Sequence, residues 1–67
     1  MTPAESLTTR EMELLRWLAR GFSNQQIGEE MGTTRHVIGN RLREIYDKTG
    51  MSSRLELASW TAHHLSP

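Results

Sequence analysis

The chain reads as an all-α protein, a compact domain of four short helices, and three observations point there. Apolar residues recur at spacings of three and four, and no stretch shows the period-two alternation of a half-buried strand. Ser or Thr stands three places before Glu or Gln at Thr8–Glu11, Ser23–Gln26 and Ser53–Glu56, which is the capping-box pattern of a helix start. Gly21, Gly32 and Gly50 stand just past periodic segments, where a left-handed residue ends a helix at little cost. No hairpin turn pair, internal repeat or low-complexity segment is present. Residues 1–6, MTPAES, read as a flexible lead-in and residues 7–65 as the folded domain.

The first helix is expected over Thr9 to Arg20. Thr8 and Glu11 form its box, Leu7 and Met12 occupy the staple positions, and Leu14, Leu15 and Leu18 form the apolar stripe. The second starts at the Ser23–Gln26 box with Phe22 and Ile27 as its staple, and ends near Met31 before Gly32. The third is expected from Thr34 as N-cap to just before Gly50, a length of about 22 Å. Ile38, Leu42, Ile45 and Thr49 share one of its faces, while His36, Asn40, Arg43 and Asp47 lie opposite. Arg41 and Lys48 fall on one flank and Gly39 on the other. The fourth helix starts at Ser53. Leu55, Ala58 and Ala62 are expected to face the core, Leu57, Trp60, Thr61 and His64 to lie on other faces, and Met51 to join the core from the loop.

A chain of 67 residues allows one small domain. At that size only about 60% of the unfolded surface is buried, so stability is modest. There is no cysteine, hence no disulfide or thiolate metal site, which fits a reducing interior. No apolar run approaches the roughly 20 residues of a membrane span and no signal-peptide pattern opens the chain, so a soluble, cytoplasmic protein is expected. Eight basic residues balance eight acidic ones. The basic residues nevertheless gather late: residues 33–55 hold Arg35, Arg41, Arg43, Lys48 and Arg54 against only Glu44 and Asp47. Attraction to phosphate follows such a local field more than net charge.

A short helix, a tight turn and a longer helix with one aliphatic and one polar face is the layout of a helix-turn-helix DNA reader, with its core at 24–43. The motifs L-T-x-R-E-x-E-x-L (Leu7, Thr8, Arg10, Glu11, Glu13, Leu15), L-A-x-G-x-S-N-x-x-I (Leu18, Ala19, Gly21, Ser23, Asn24, Ile27), then Ile45 and K-x-G-x-x-x-R (Lys48, Gly50, Arg54), resemble the LuxR-type helix-turn-helix domain, also called the NarL/FixJ class. The resemblance runs from about residue 7 to residue 60 with unbroken spacing. It implies a four-helix fold, a bacterial transcriptional regulator, and dimerisation through the last helix. It puts groove reading on Gly39, Asn40 and Arg43, and phosphate contacts near Ser23, Asn24, Thr34, Val37, Arg41 and Lys48.

Physical chemistry agrees for several of these. Asn bonds adenine and Arg bonds guanine bidentately, and backbone N–H groups after Ser23 suit a phosphate oxygen. Arg35 and His36 at the head of the third helix join the DNA-binding set. Where the family has Thr-Val-Lys, this chain has Val37-Ile38-Gly39; Arg41 replaces the usual His, Thr33 the usual Ile and Thr49 the usual Leu. Gly39 has two readings: the backbone comes close to DNA there, with the task shifted to His36, Asn40 and Arg43, or DNA affinity is weakened.

Simpler roles stand beside these. Asn40 and Arg43 also suit a solvated face, with Arg43–Asp47 and Glu44–Lys48 as surface pairs. His36, His63 and His64 are too scattered for a metal site, and no cofactor is expected. Trp17, Met12 and Met31 read as core residues, and Trp60 as either a core edge or a dimer anchor. Glu11 and Glu13 lack an acid–base partner, and no nucleophile–base pair or phosphate-cradling loop argues for an enzyme. The expected partners are double-stranded DNA, a second copy of the chain through Leu57, Trp60, Thr61 and His64, and RNA polymerase. The alternative is a protein-interaction or self-association module on the same fold.

Overall fold

A computed structural model describes residues 6–65. They contain helices α1 (Thr9–Ala19), α2 (Asn24–Met31), α3 (Arg35–Thr49) and α4 (Arg54–His64), and no strand. Residues 1–5 of the expected lead-in lie outside the described residues. Ser6, its last residue, is helical rather than loose.

Local chemistry sets the helix starts. Both halves of the capping box form at α1, where Thr8 Oγ1 accepts from Glu11 N (3.1 Å) and Glu11 Oε1 accepts from Thr8 N (2.9 Å). The same holds at α2, where the Ser23 hydroxyl accepts from Gln26 N and the Gln26 side chain accepts from Ser23 N. Thr34 caps α3 through Val37 N. The third expected box is only half formed. Ser53 Oγ accepts from Glu56 N, but the Glu56 carboxylate reaches past Ser53 to Ser52 N (3.1 Å). Gly32 and Gly50, at φ 71° and 73°, end α2 and α3 in the left-handed region.

The core is Leu7, Leu14, Leu15, Leu18, Ile27, Met31, Ile38, Leu42, Ile45 and Leu57. It has two main seams, α2 against α3 and α1 against α4, and α1 also touches α2 and α3. The α2–α3 seam depends on Gly28, which is buried. A Cβ there would lie 2.9 Å from the Thr34 carbonyl carbon and 3.0 Å from Thr33 O, so only glycine lets the turn rest on α2. Thr33 N donates to Gly28 O at 2.7 Å and closes that turn.

The orientation of α4 overturns the sequence expectation for Leu55 and Ala62, while Ala58 packs against the core as expected. Leu57 and Thr61 are the residues buried against α1, at 0% and 1% exposure, whereas Leu55 is 81% exposed and Ala62 is exposed. The reason lies in Thr61: its hydroxyl donates to Leu57 O (2.8 Å), so the side chain satisfies its polar atom inside the helix and buries its methyl. Counting Thr61 as polar set the helix in the wrong phase. Thr49 uses the same device on α3, donating to Ile45 O at 2.9 Å.

Candidate nucleic-acid interface

Burial of Ile38, Leu42 and Ile45 turns the opposite face of α3 to solvent, and His36, Asn40, Arg43 and Asp47 are all exposed on it. Together with Asn24 from α2, the residues Arg35, His36, Gly39, Asn40 and Arg43 line one shallow concavity of about 320 Å³. A second one adjoins it, lined by Asn24, Gly39, Leu42, Arg43, Tyr46 and Arg54. Gly39 sits between the two, and its missing side chain leaves both open. Its backbone is ordinary helix, since the positive φ values fall at Gly21, Gly32 and Gly50. A Cβ on Gly39 would meet nothing nearer than Asn24 Nδ2 at 4.0 Å, so packing within the domain does not demand glycine.

The first concavity carries donors and no carboxylate among its lining side chains. Arg35 and Arg43 supply guanidinium groups, Asn24 and Asn40 supply amides, and His36 supplies an imidazole. Such a surface suits acceptor-rich partners, of which a phosphate backbone and the guanine major-groove edge are the plainest.

The remaining predicted site residues are placed elsewhere. Ser23 and Thr34 are the N-caps of α2 and α3, their side-chain oxygens accepting from Gln26 N and Val37 N. Arg41 is exposed on the flank of α3. Lys48 is engaged inside the domain: its ammonium donates to Glu11 Oε1 at 2.7 Å, and Glu11 is 4% exposed. Burial would raise the Glu11 pKa. The Lys48 hydrogen bond and charge, with the bonds from Thr8, outweigh it and hold the carboxyl below its usual value. Lys48 therefore neutralises a core carboxylate rather than pairing with Glu44. The Arg43–Asp47 pair is not formed either; the ion pairs among the described residues are Lys48–Glu11 and Arg10–Glu13.

On α4, Leu57 and Thr61 are inside the core and cannot form an interface between copies. Trp60 is half-buried at the edge of that core, and its ring stacks on His64 at 5.0 Å. The exposed large apolar residue of this helix is Leu55. Arg54 was not among the sequence candidates for DNA binding. Its Nη1 donates to Asn24 Oδ1 (2.7 Å) and its Nη2 to Phe22 O (2.9 Å), contacts that span thirty residues and have no local signature.

Residues 5–61 match the family model described as bacterial regulatory proteins, luxR family. The chain is 48% identical over 52 residues to the probable transcriptional regulatory protein SgaR of Hyphomicrobium methylovorum, covering 78% of this chain and 25% of that protein. It is 39% identical over 56 residues to the transcriptional regulatory protein LiaR of Bacillus subtilis (84% and 26%). It is 34% identical over 58 residues to the fimbriae Z protein of Salmonella typhimurium (87% and 28%). The chain thus spans about a quarter of the length of these relatives. No solved structure matches it at a significant level.

Proposed function

The chain belongs to the luxR family of bacterial regulatory proteins, and on that premise we propose that residues 7–65 are the DNA-binding effector part of a transcriptional regulator. In this reading α3 enters the major groove, and α2 holds the backbone beside it. The observation that carries it is the first concavity, where Asn24, Arg35, His36, Asn40 and Arg43 converge without a carboxylate. Arg43 and Asn40 read base edges, Arg35 and His36 approach from the head of α3, and Arg41, Ser23, Asn24 and Thr34 contact phosphates. Gly39 lets the α3 backbone come close. No helix among the described residues is long and apolar enough to cross a membrane. The place of action is the cytoplasm, where the DNA is, and RNA polymerase is a partner of the bound regulator.

Selection from a randomised duplex pool, followed by anisotropy titration of the recovered sequence, tests the reading. Arg43→Ala is expected to weaken binding by about tenfold or more and to relax preference at one base position. Binding without sequence preference, or an Arg43→Ala variant as tight as the wild type, sinks it.

Self-association through α4 is the companion reading. The observation behind it is Leu55, 81% exposed, with Ser59 and Ala62 following at four and seven residues on the same solvent-facing line. The surface between copies is then Leu55, Ser59 and Ala62, with Trp60 and His64 beside them, and two copies read two half-sites.

A further inference from the structure

Asn24 lies at the start of α2 and lines both concavities beside Gly39. A carboxamide has two ends of nearly the same shape, one accepting and one donating, and a free Asn can offer either. Here the choice is made by a residue from the far end of the chain. Arg54 Nη1 donates to Asn24 Oδ1 at 2.7 Å, while Nη2 of the same guanidinium donates to Phe22 O at 2.9 Å. A guanidinium only donates, so the end of Asn24 that faces it must be the oxygen. Nδ2 then points away from Arg54, toward Gly39, where it is the nearest atom to the space a side chain would occupy, at 4.0 Å.

From this we infer that Arg54 is a positioning residue for DNA recognition: it locks the Asn24 carboxamide so that Nδ2 faces the α3 surface at Gly39 and donates to an acceptor on the duplex. Gly39 leaves the room for that acceptor. Asn24 then presents its donor end to the α3 surface, matched to a phosphate oxygen or to the O6 and N7 acceptors of guanine, and mismatched there to the amino groups of adenine and cytosine. The two-pronged contact to Phe22 O and Asn24 Oδ1 also requires Arg rather than Lys, because one ammonium does not reproduce the planar fork. The inference rests on the DNA-binding reading and adds a residue of α4 to it.

The test is a double-mutant cycle on the 67-residue chain, read by anisotropy with the duplex recovered from selection. Arg54→Met and Asn24→Ala are each expected to weaken binding about fivefold, the scale of one hydrogen bond. The double variant should be no weaker than about fivefold, because the second change removes a group already released. The slope of log affinity against log salt should be unchanged in Arg54→Met, since Arg54 itself touches no phosphate. Asn24→Asp keeps the contact to Arg54 but replaces the donors by an acceptor, and should bind less well than Asn24→Ala.

Losses that multiply to about 25-fold, or a flatter salt slope in Arg54→Met, would show Arg54 acting on its own and overturn the inference. An Asn24→Asp variant equal to the wild type overturns it as well, and that variant leaves Arg54 untouched should Arg54→Met fail to fold. A wild-type chain that binds no selected duplex is a different result, and it removes the DNA-binding reading itself.

Discussion

At the scale of single residues, Glu11 holds a carboxylate in the core and its neighbours keep it charged. Desolvation favours the neutral acid, but Lys48 and the backbone of Thr8 donate to the same oxygen and lower the pKa from its usual 4.5. A carboxyl whose folded-state pKa is depressed contributes stability that is fully present above the unfolded value and is lost as pH falls through the folded one. The urea midpoint is therefore expected to drop on acidification below about pH 4.5, and Glu11→Gln should flatten that dependence. Lys48→Met leaves the buried charge without its partner. Removing one partner of a fully buried pair costs about 3–5 kcal/mol, and Lys48, with its side chain 34% exposed, should cost less, about 2 kcal/mol. The same variant should keep the wild-type salt dependence of DNA binding. A flatter slope with little loss of stability would return Lys48 to the phosphate-contact set.

At the scale of elements, two glycines on the paired helices α2 and α3 ask for opposite outcomes. Gly28→Ala drives a Cβ to within 2.9–3.2 Å of the Thr33–Arg35 backbone, which has no flexible end to give way, so the α2–α3 turn must open. The loss expected from such overpacking is about 1–3 kcal/mol. Gly39→Ala meets only Asn24 Nδ2 at ordinary distance and removes a poor helix former from the middle of α3. It should stabilise by about 1 kcal/mol, seen as a rise in Tm of roughly 4–8 °C. A Gly39→Ala chain that is more stable yet binds DNA more weakly would identify the glycine with close approach to the duplex. Equal or tighter binding would mean that nothing on the DNA uses the gap. Helix starts and ends were legible because caps and left-handed glycines are local chemistry, written within four residues at Thr8–Glu11, Ser23–Gln26 and Gly32. The aliphatic stripe of α3 was legible because Ile38, Leu42 and Ile45 carry no polar atoms to hide. The α4 face was not, because Thr61 looks polar in sequence and is buried by a hydroxyl bonded to its own helix. Gly28 was missed because what it touches lies across a turn.

At the scale of the whole molecule, zero net charge leaves DNA affinity to the local field of α3. The four exposed residues opposite the core on α3, His36, Asn40, Arg43 and Asp47, could be read from helical periodicity alone. Arg54 and the diversion of Lys48 to Glu11 could not, because tertiary contacts across 30 to 37 residues decide both. The same packing decides how two copies can meet. With Leu57 and Thr61 inside the core, the free apolar side of α4 is the line through Leu55, so the change that tests pairing is Leu55→Lys. It places a charge in the proposed surface between copies without disturbing the core, since Leu55 is 81% exposed. Sedimentation should then show the wild type self-associating and the variant monomeric. On a duplex with half-sites about one helical turn apart, the variant should lose on the order of 10²-fold in affinity, the contribution of linked binding. On a single half-site it should bind as the wild type does. Trp60→Ala, by contrast, removes half-buried packing and should lower stability more than association. Equal mass distributions for wild type and Leu55→Lys, with the same preference for paired half-sites, would place any self-association somewhere other than α4.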